Sequence, residues 1–207
     1  MKKTSFILQA SFSILIAVAA VSAQAAEALI KVSGPAFVND LRYNTEQNFL
    51  KKNVYKDFGL NACYVQKDMY SALQKLEKLL IEKKLKLVFW DCWRPLSVQQ
   101  AMWKLVPDSR YVANPKSGSN HNRGIAIDVT LAKEDGTHLE MTTPFDDFSP
   151  KAAPQASCSG IDKIKCENRD LLIQLMAQVG LKPVPTEWWH YQVSSGVKYP
   201  IISDFPQ

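Results

Sequence analysis

Apolar and polar positions repeat along this chain with periods that mark most of its elements. Phe6 to Val21 is a mostly apolar run behind Lys2 and Lys3, and it leads to Ala23-Gln24-Ala25, an A-x-A pattern before Ala26. A positive start, an apolar middle and small residues at a cleavage point describe a secretory signal, so residues 1–25 are expected to be removed on export. Gln9, Ser11 and Ser13 interrupt the run, which weighs against a membrane anchor. Further on, Met69, Leu73, Leu76 and Leu80 recur at helical steps, with Asp68 standing where an N-cap belongs. Lys86 to Trp90 reads as a short buried strand that delivers Asp91 and Arg94 at its end. Leu96 to Leu105 follows Pro95 as a second helix, with Val98, Met102 and Leu105 toward the core. Val106 to Gly118, which carries Pro107, Pro115 and Gly118, reads as loop.

The second half patterns differently. Ile125 to Leu131 and Leu139 to Thr142 are expected to form a hairpin across Glu134-Asp135-Gly136, whose Asp-Gly is a turn signal. Asn168 is the expected cap of the last helix, with Leu171, Leu172, Leu175, Met176 and Val179 on its apolar face and Gly180 as its stop. Pro183 and Pro185 set Glu187 at a strand entrance and His190 within that strand. If Trp188 to Val193 is a strand, Trp188 and Trp189 point to opposite faces, one packing in the core and the other walling a site. Helices mixed with hairpin-like strands predict a single α+β domain: a central, mostly antiparallel sheet with helices packed on one side.

Composition narrows the class without naming an activity. Residues 26–207 are enough for one domain with a sizeable core. Without Lys2 and Lys3 the chain carries 23 Lys and Arg against 20 Asp and Glu, too mild and too evenly spread an excess to argue for nucleic acid. There is no internal repeat, no low-complexity tract and no interdomain linker. Four cysteines in an exported chain permit disulfides. Cys158 and Cys166 flank a short polar segment and are placed to close a small loop, Cys63 and Cys92 either pair or stay as separate thiols, and all three pairings remain open. None of the spacings is C-x-x-C, which argues against a cysteine zinc site.

The candidate chemistry lies in two short stretches, Ser119 to Asp128 and Glu187 to Tyr191, which hold two of the three histidines. His121, Asp128 and His190 offer two imidazoles and one carboxylate, a set that suits Zn²⁺ and leaves a fourth position for water. Glu187 would then stand beside the metal as a base for that water. The plainer alternative is that each His–acid pair is an ordinary hydrogen-bonded pair. His121 and Asp128 are seven apart and cannot share a face of one regular strand, but Gly124 permits a bend or a close backbone approach between them. His138, near the hairpin turn, is expected to be exposed and not to bind metal. Arg94 next to Asp91 reads either as a structural salt bridge or as an always-charged group that stabilises an oxyanion.

These residues match a family pattern. Ser119-x-His121-x-x-Gly124-x-Ala126-x-Asp128, followed by Glu187-x-x-His190, resembles the zinc D,D-peptidases of the VanX and D-alanyl-D-alanine carboxypeptidase superfamily. Trp90-Asp91-Cys92-Trp93-Arg94-Pro95 and Glu187-Trp188-Trp189-His190-Tyr191 resemble the VanX-type D-alanyl-D-alanine dipeptidases in particular, as do Arg42 to Thr45 with Asn48-Phe49 and the ending Tyr199 to Pro206. The resemblance implies one Zn²⁺ on His121, Asp128 and His190, Glu187 as general base, Arg94 as oxyanion partner, and Asp146 as the acid that holds the substrate ammonium. It also places Ser119 and Tyr43 against the substrate, a small D-amino-acid dipeptide. Some of these enzymes carry a longer insertion within Val106 to Gly118, so the shorter loop here keeps a carboxypeptidase acting on longer stem peptides in view. A secreted zinc-binding module without catalysis is the alternative from another class. With export, the expectation is a periplasmic enzyme of wall turnover or D-alanine salvage, free of the membrane once the signal is cut.

Overall fold

The computed structural model describes residues 29–194 and 199–203. The expected signal, residues 1–25, and the end of the expected family tail beyond residue 203 lie outside the described residues.

Five strands form the main sheet. They are β2 (Phe37–Asn39), β4 (Leu85–Asp91), β5 (Ala126–Lys133), β6 (Lys182–Val184) and β7 (Glu187–Gln192), in the order β2-β4-β5-β7-β6; β1 (Ile30–Lys31) and β3 (Tyr64–Val65) pair separately. Only β2 runs parallel to its neighbour in the main sheet, so the fold is the α+β arrangement that the residue pattern implies. Pro183 sits in β6 at the sheet edge, where its missing N–H is tolerated.

Among the described residues three α-helices complete the fold: α1 (Lys67–Glu82), α2 (Leu96–Leu105) and α3 (Lys163–Gln178). α1 and α3 touch each other and both pack on the sheet, so they cover one face of it. Met69, Leu73, Leu76 and Leu80 of α1 and Leu172, Leu175 and Met176 of α3 meet Leu87, Phe89, Ile127, Val129 and Leu131 in the main core. A second, smaller core lies beyond the strand ends, where Tyr43, Leu50, Tyr55, Trp93, Val98 and Met102 pack under α2. Phe145 touches both cores.

Several local expectations are corrected. Gln66, not Asp68, precedes α1, without a side-chain cap; Asp68 lies in the first turn, where a negative charge still favours the helix N-terminus. α3 begins well before Asn168, capped by Asp162 through Ile164 N–H, and Asn168 instead donates to the Glu140 carbonyl. Its first turn, Lys163-Ile164-Lys165, exposes its one apolar residue, which hides that start from a periodicity argument. Leu105 is exposed at the end of α2. The Asp135-Gly136 turn forms, but Leu139 to Thr142 is not a strand: only Ala132 and His138 make an isolated bridge before the chain leaves the sheet. Cysteine pairing is resolved as Cys63–Cys92 and Cys158–Cys166.

Candidate active site

Register lines up a row of polar side chains across three strands. Asp91 partners Asp128 between β4 and β5, and Asp128 partners His190 between β5 and β7. Partners on antiparallel strands share a face, and the irregularity between Phe89 and Asp91 shifts the register that puts Asp91 in the row. His121 reaches the same place from outside the sheet, on a single 3₁₀ turn, His121–Arg123, that ends at Gly124 with φ +68°. A Cβ at Gly124 would meet Leu29 Cδ2 at 2.7 Å, so both the left-handed backbone and the close approach require glycine.

Hydrogen bonds decide which nitrogen each imidazole presents. His121 Nδ1 lies 2.8 Å from the Cys92 carbonyl, which can only accept, so the proton sits on Nδ1 and Nε2 keeps its lone pair. His190 Nε2 lies 3.3 Å from Gln192 Oε1, and its Nδ1 turns inward. Nε2 of His121, Nδ1 of His190 and Oδ1 of Asp128 stand 3.1–3.3 Å from one another. Asp128 Oδ1 is buried and accepts no hydrogen bond. Three buried acceptor atoms at this separation repel unless a cation joins them. A tetrahedral ion with bonds of about 2.0–2.1 Å sets its ligands about 3.3–3.4 Å apart, so two nitrogens and one oxygen here fit a zinc ion. Burial opposes the Asp128 charge, but a positive charge on the facing side, a protonated histidine when no cation is bound, outweighs it and holds its carboxyl well below the usual range.

Glu187 begins β7, with Oε2 3.9 Å from His190 Nδ1. Burial pushes its carboxyl up to about 8, against the pull of His190, which makes it a group able to take up and release a proton near neutrality. A dication on the neighbouring ligands would pull that value down. Arg94 is fixed from several sides: Nε and Nη2 donate to Asp91 Oδ2 at 2.8 and 2.6 Å, Nη1 donates to Gln99 Oε1 at 2.8 Å, and the guanidinium lies over the Tyr43 ring. Burial works against its charge, but Asp91 and its neighbours outweigh burial and hold its pKa well above the ordinary value. Asp91, itself fully buried, also accepts from Tyr55 OH and from Cys92 N–H. The Cys63–Cys92 disulfide ties this strand end to β3, and Cys92 is the residue whose carbonyl orients His121.

Arg94 is therefore salt-bridged to Asp91, as the structural reading expects, and it also lines a cavity. That cavity, of about 470 Å³, is lined by every residue singled out as a site residue: Tyr43, Arg94, Ser119, His121, Asp128, Asp146, Glu187 and His190. Asp146 accepts from Tyr43 OH at 3.2 Å and from Phe49 N–H at 3.0 Å. Its backbone is left-handed, φ +58°, and burial raises its carboxyl to about 7 despite the Phe49 N–H. Ser119 Oγ accepts from His121 N–H at 3.2 Å and keeps its own proton free to donate. Trp189 lines the cavity, whereas Trp188 packs on Trp90 and donates to Thr143 Oγ1. His138 stays outside, half-exposed and 4.0 Å from Asp40.

Sequence reasoning missed Gln99, Asn120 and Gln192. Gln99 is fully buried and donates through Nε2 to the Ala113 carbonyl at 2.8 Å, so it joins Arg94 to the loop over the cavity. The available signal was a polar residue three positions from Met102 and adjacent to Val98 on the inward side of α2. Asn120 and Gln192 carried none, because their contact joins segments far apart in the chain.

The D-ala-D-ala dipeptidase family profile matches residues 28–206. A D-alanyl-D-alanine dipeptidase of Escherichia coli (strain K12) is 33% identical over 165 residues, 80% of this chain and 83% of that protein. The chain belongs to the D-alanyl-D-alanine dipeptidase family. A second family member, the D-alanyl-D-alanine dipeptidase of Enterococcus faecium, is 29% identical over 81% of this chain and 91% of its own length. Among solved structures, a mutant of the vancomycin-resistance D,D-pentapeptidase VanY in complex with Zn(II) aligns with a TM-score of 0.39 and 16% identity over 68% of this chain and 80% of that one. Membership of the dipeptidase family makes this chain a peptide-bond hydrolase.

Proposed function

We propose that this chain is a zinc-dependent dipeptidase that hydrolyses D-alanyl-D-alanine to two molecules of D-alanine. The observation that carries the reading is that a zinc-type ligand triad, a base and an acid suited to an ammonium group all line one cavity of about 470 Å³. His121, Asp128 and His190 would hold the ion. Bound there, zinc supplies Lewis acidity, which polarises a carbonyl and acidifies water. Glu187 removes the proton from the attacking water and returns it to the leaving amine. Arg94, held in place by Asp91 and Gln99, presents its charge to the oxygen that becomes negative as the carbonyl is attacked. Asp146, beside Tyr43 on the cavity wall, receives the substrate ammonium, while Ser119 offers its hydroxyl.

The same reading places the enzyme outside the cytoplasm, in periplasmic turnover of wall peptides or salvage of D-alanine. The charged start, apolar run and Ala23-Gln24-Ala25 support export, and two cystine pairs suit an oxidising compartment. An N-terminus at Ala26 in protein recovered from the periplasm is the expected result, and a cytoplasmic protein starting at Met1 would remove this part.

The deciding assay is D-alanine release by the purified mature chain, with zinc or with chelator, from D-alanyl-D-alanine and from a stem peptide ending in it. Turnover of the dipeptide alone, lost with chelator, is expected. Cleavage of the longer peptide would make it a carboxypeptidase instead, a reading that the short Val106–Gly118 loop keeps in view. No turnover of either substrate would sink the dipeptidase.

A further inference from the structure

The two imidazoles of the triad are oriented by unlike partners. His121 is set by a main-chain carbonyl, that of Cys92, which cannot turn around and only accepts. His190 is set by a side-chain amide: Gln192 Oε1 lies 3.3 Å from His190 Nε2, two residues along the same strand and hence on the same face. An amide can rotate by half a turn and offer its NH₂ instead. In that orientation it would donate to His190 Nε2, send the ring proton to Nδ1 and remove the lone pair that faces Asp128 and His121. A second amide opposes that rotation. Asn120 Nδ2 donates to Gln192 Oε1 at 2.7 Å, joining two residues 72 apart in sequence. Asn120 stands next to His121, and its main-chain carbonyl accepts from Arg123 N–H and Ile125 N–H, so its backbone is held by the turn that carries His121.

We propose that Gln192, locked by Asn120, is a positioning residue that keeps the His190 proton on Nε2 and so presents Nδ1 to the cation. The inference rests on the reading of His121, Asp128 and His190 as the zinc site. It goes beyond that reading by assigning the tautomer of one ligand to a hydrogen-bonded pair of amides that bridges β7 and the His121 turn. The amide pair thereby couples the two histidines through a path that does not pass through the ion. Both amides also line the cavity, so the test reads the tautomer and the zinc affinity rather than turnover.

Two readouts test it apart from turnover: zinc affinity by competition with a chelator, and the ring ¹⁵N shifts of His190 in metal-free protein. Wild type should show His190 protonated on Nε2. Gln192→Leu should lose that preference and bind zinc about 10- to 100-fold more weakly, the range usual for removal of a partner behind a metal ligand. Gln192→Glu, which can only accept, should restore the tautomer and bind zinc at least as tightly as wild type. Asn120→Ala, which only frees the amide to turn, should show a mixed tautomer and a smaller loss. A folded Gln192→Leu with wild-type zinc affinity and an unchanged His190 tautomer would overturn the inference and leave the zinc site standing. If the Leu variant does not fold, a Gln192→Glu variant that weakens zinc binding overturns it equally. Wild type that binds no zinc would sink the site itself and this inference with it.

Discussion

The wall of the cavity that carries Asp128, Glu187 and His190 and the wall that carries Tyr43 and Asp146 put polar groups into the same space by different means. On the first, strand register spaces the side chains, and the groups that orient them include a main-chain carbonyl and a fully buried carboxylate. On the second, a non-glycine residue in left-handed backbone presents Asp146, held by one hydroxyl and one N–H from a distant segment. The sheet wall uses ladder bonds that the fold needs anyway; the loop wall uses contacts that serve little besides the site. Changes on the sheet wall should therefore strike the chemical step, and changes on the loop wall should strike substrate binding.

The sharpest break of that division is Glu187→Gln, which keeps the shape of the β7 entrance and removes the base. Turnover is expected to fall by about 10²- to 10⁴-fold with zinc affinity nearly intact; unchanged turnover would show that Glu187 carries no proton. Next is Arg94→Lys, in which an ammonium cannot reproduce the donors shared between Asp91 and Gln99. Its kcat should drop by about 10²- to 10³-fold at little change in KM, and a loss confined to KM would move Arg94 to the substrate-binding role. Asp146→Asn tests the other wall: KM for the dipeptide should rise by about 10- to 100-fold, the worth of a charge-assisted bond, with a smaller change in kcat.

The loop wall should also leave a mark on stability. Burial raises the Asp146 carboxyl from its ordinary 3.8 to about 7, so the unfolded chain ionises first as pH rises. Its contribution is whole below about pH 4 and is lost by pH 7, on the order of 4 kcal/mol in all. Asp146→Asn should therefore flatten the fall in unfolding free energy between pH 4 and pH 7. Denaturant titrations that give parallel profiles for the two proteins would show that the carboxyl is not buried as described. The mildest change joins the walls: Gln99→Leu frees Arg94 Nη1 and releases the Ala113 carbonyl. It should lower kcat by about tenfold, consistent with one lost hydrogen bond to a charged group, and a compensating Gln99→Glu that restores kcat would identify the bond to Arg94 as the part that matters.

Legibility followed the same division. His121, Asp128, His190 and Glu187 could be picked out because histidine is scarce here, three in the chain, and each acid falls in a short motif with one. Arg94 was visible beside Asp91 at the end of a buried strand. Asn120 and Gln192 were not, since amides are common and nothing local marks one whose partner lies 72 residues away, and Gln99 carried only its place beside Val98 on α2. The misplaced start of α3 has a related cause: its first turn exposes Ile164 and is held by the Asp162 cap and the Cys158–Cys166 bridge, neither of which leaves a periodic trace. The hairpin limb from Leu139 was read too regularly, because the chain turns away to bury Met141 and carry Asp146 to the cavity.

By itself the sequence determined the α+β character of the chain, the three helices among the described residues and the three inner strands of the main sheet, but not β1, β2, β3 or β6. Helical and strand periods of apolar residues are set by burial along each segment and need no knowledge of what lies opposite. It also determined which side chains have the chemistry for a cation, a proton and an oxyanion. Only the tertiary structure decided that Asp91, Asp128 and His190 form one row, that Cys63 pairs with Cys92, and which nitrogen of each imidazole faces inward. Those are matters of register and of hydrogen bonds between distant segments, which depend on where other parts of the chain come to rest.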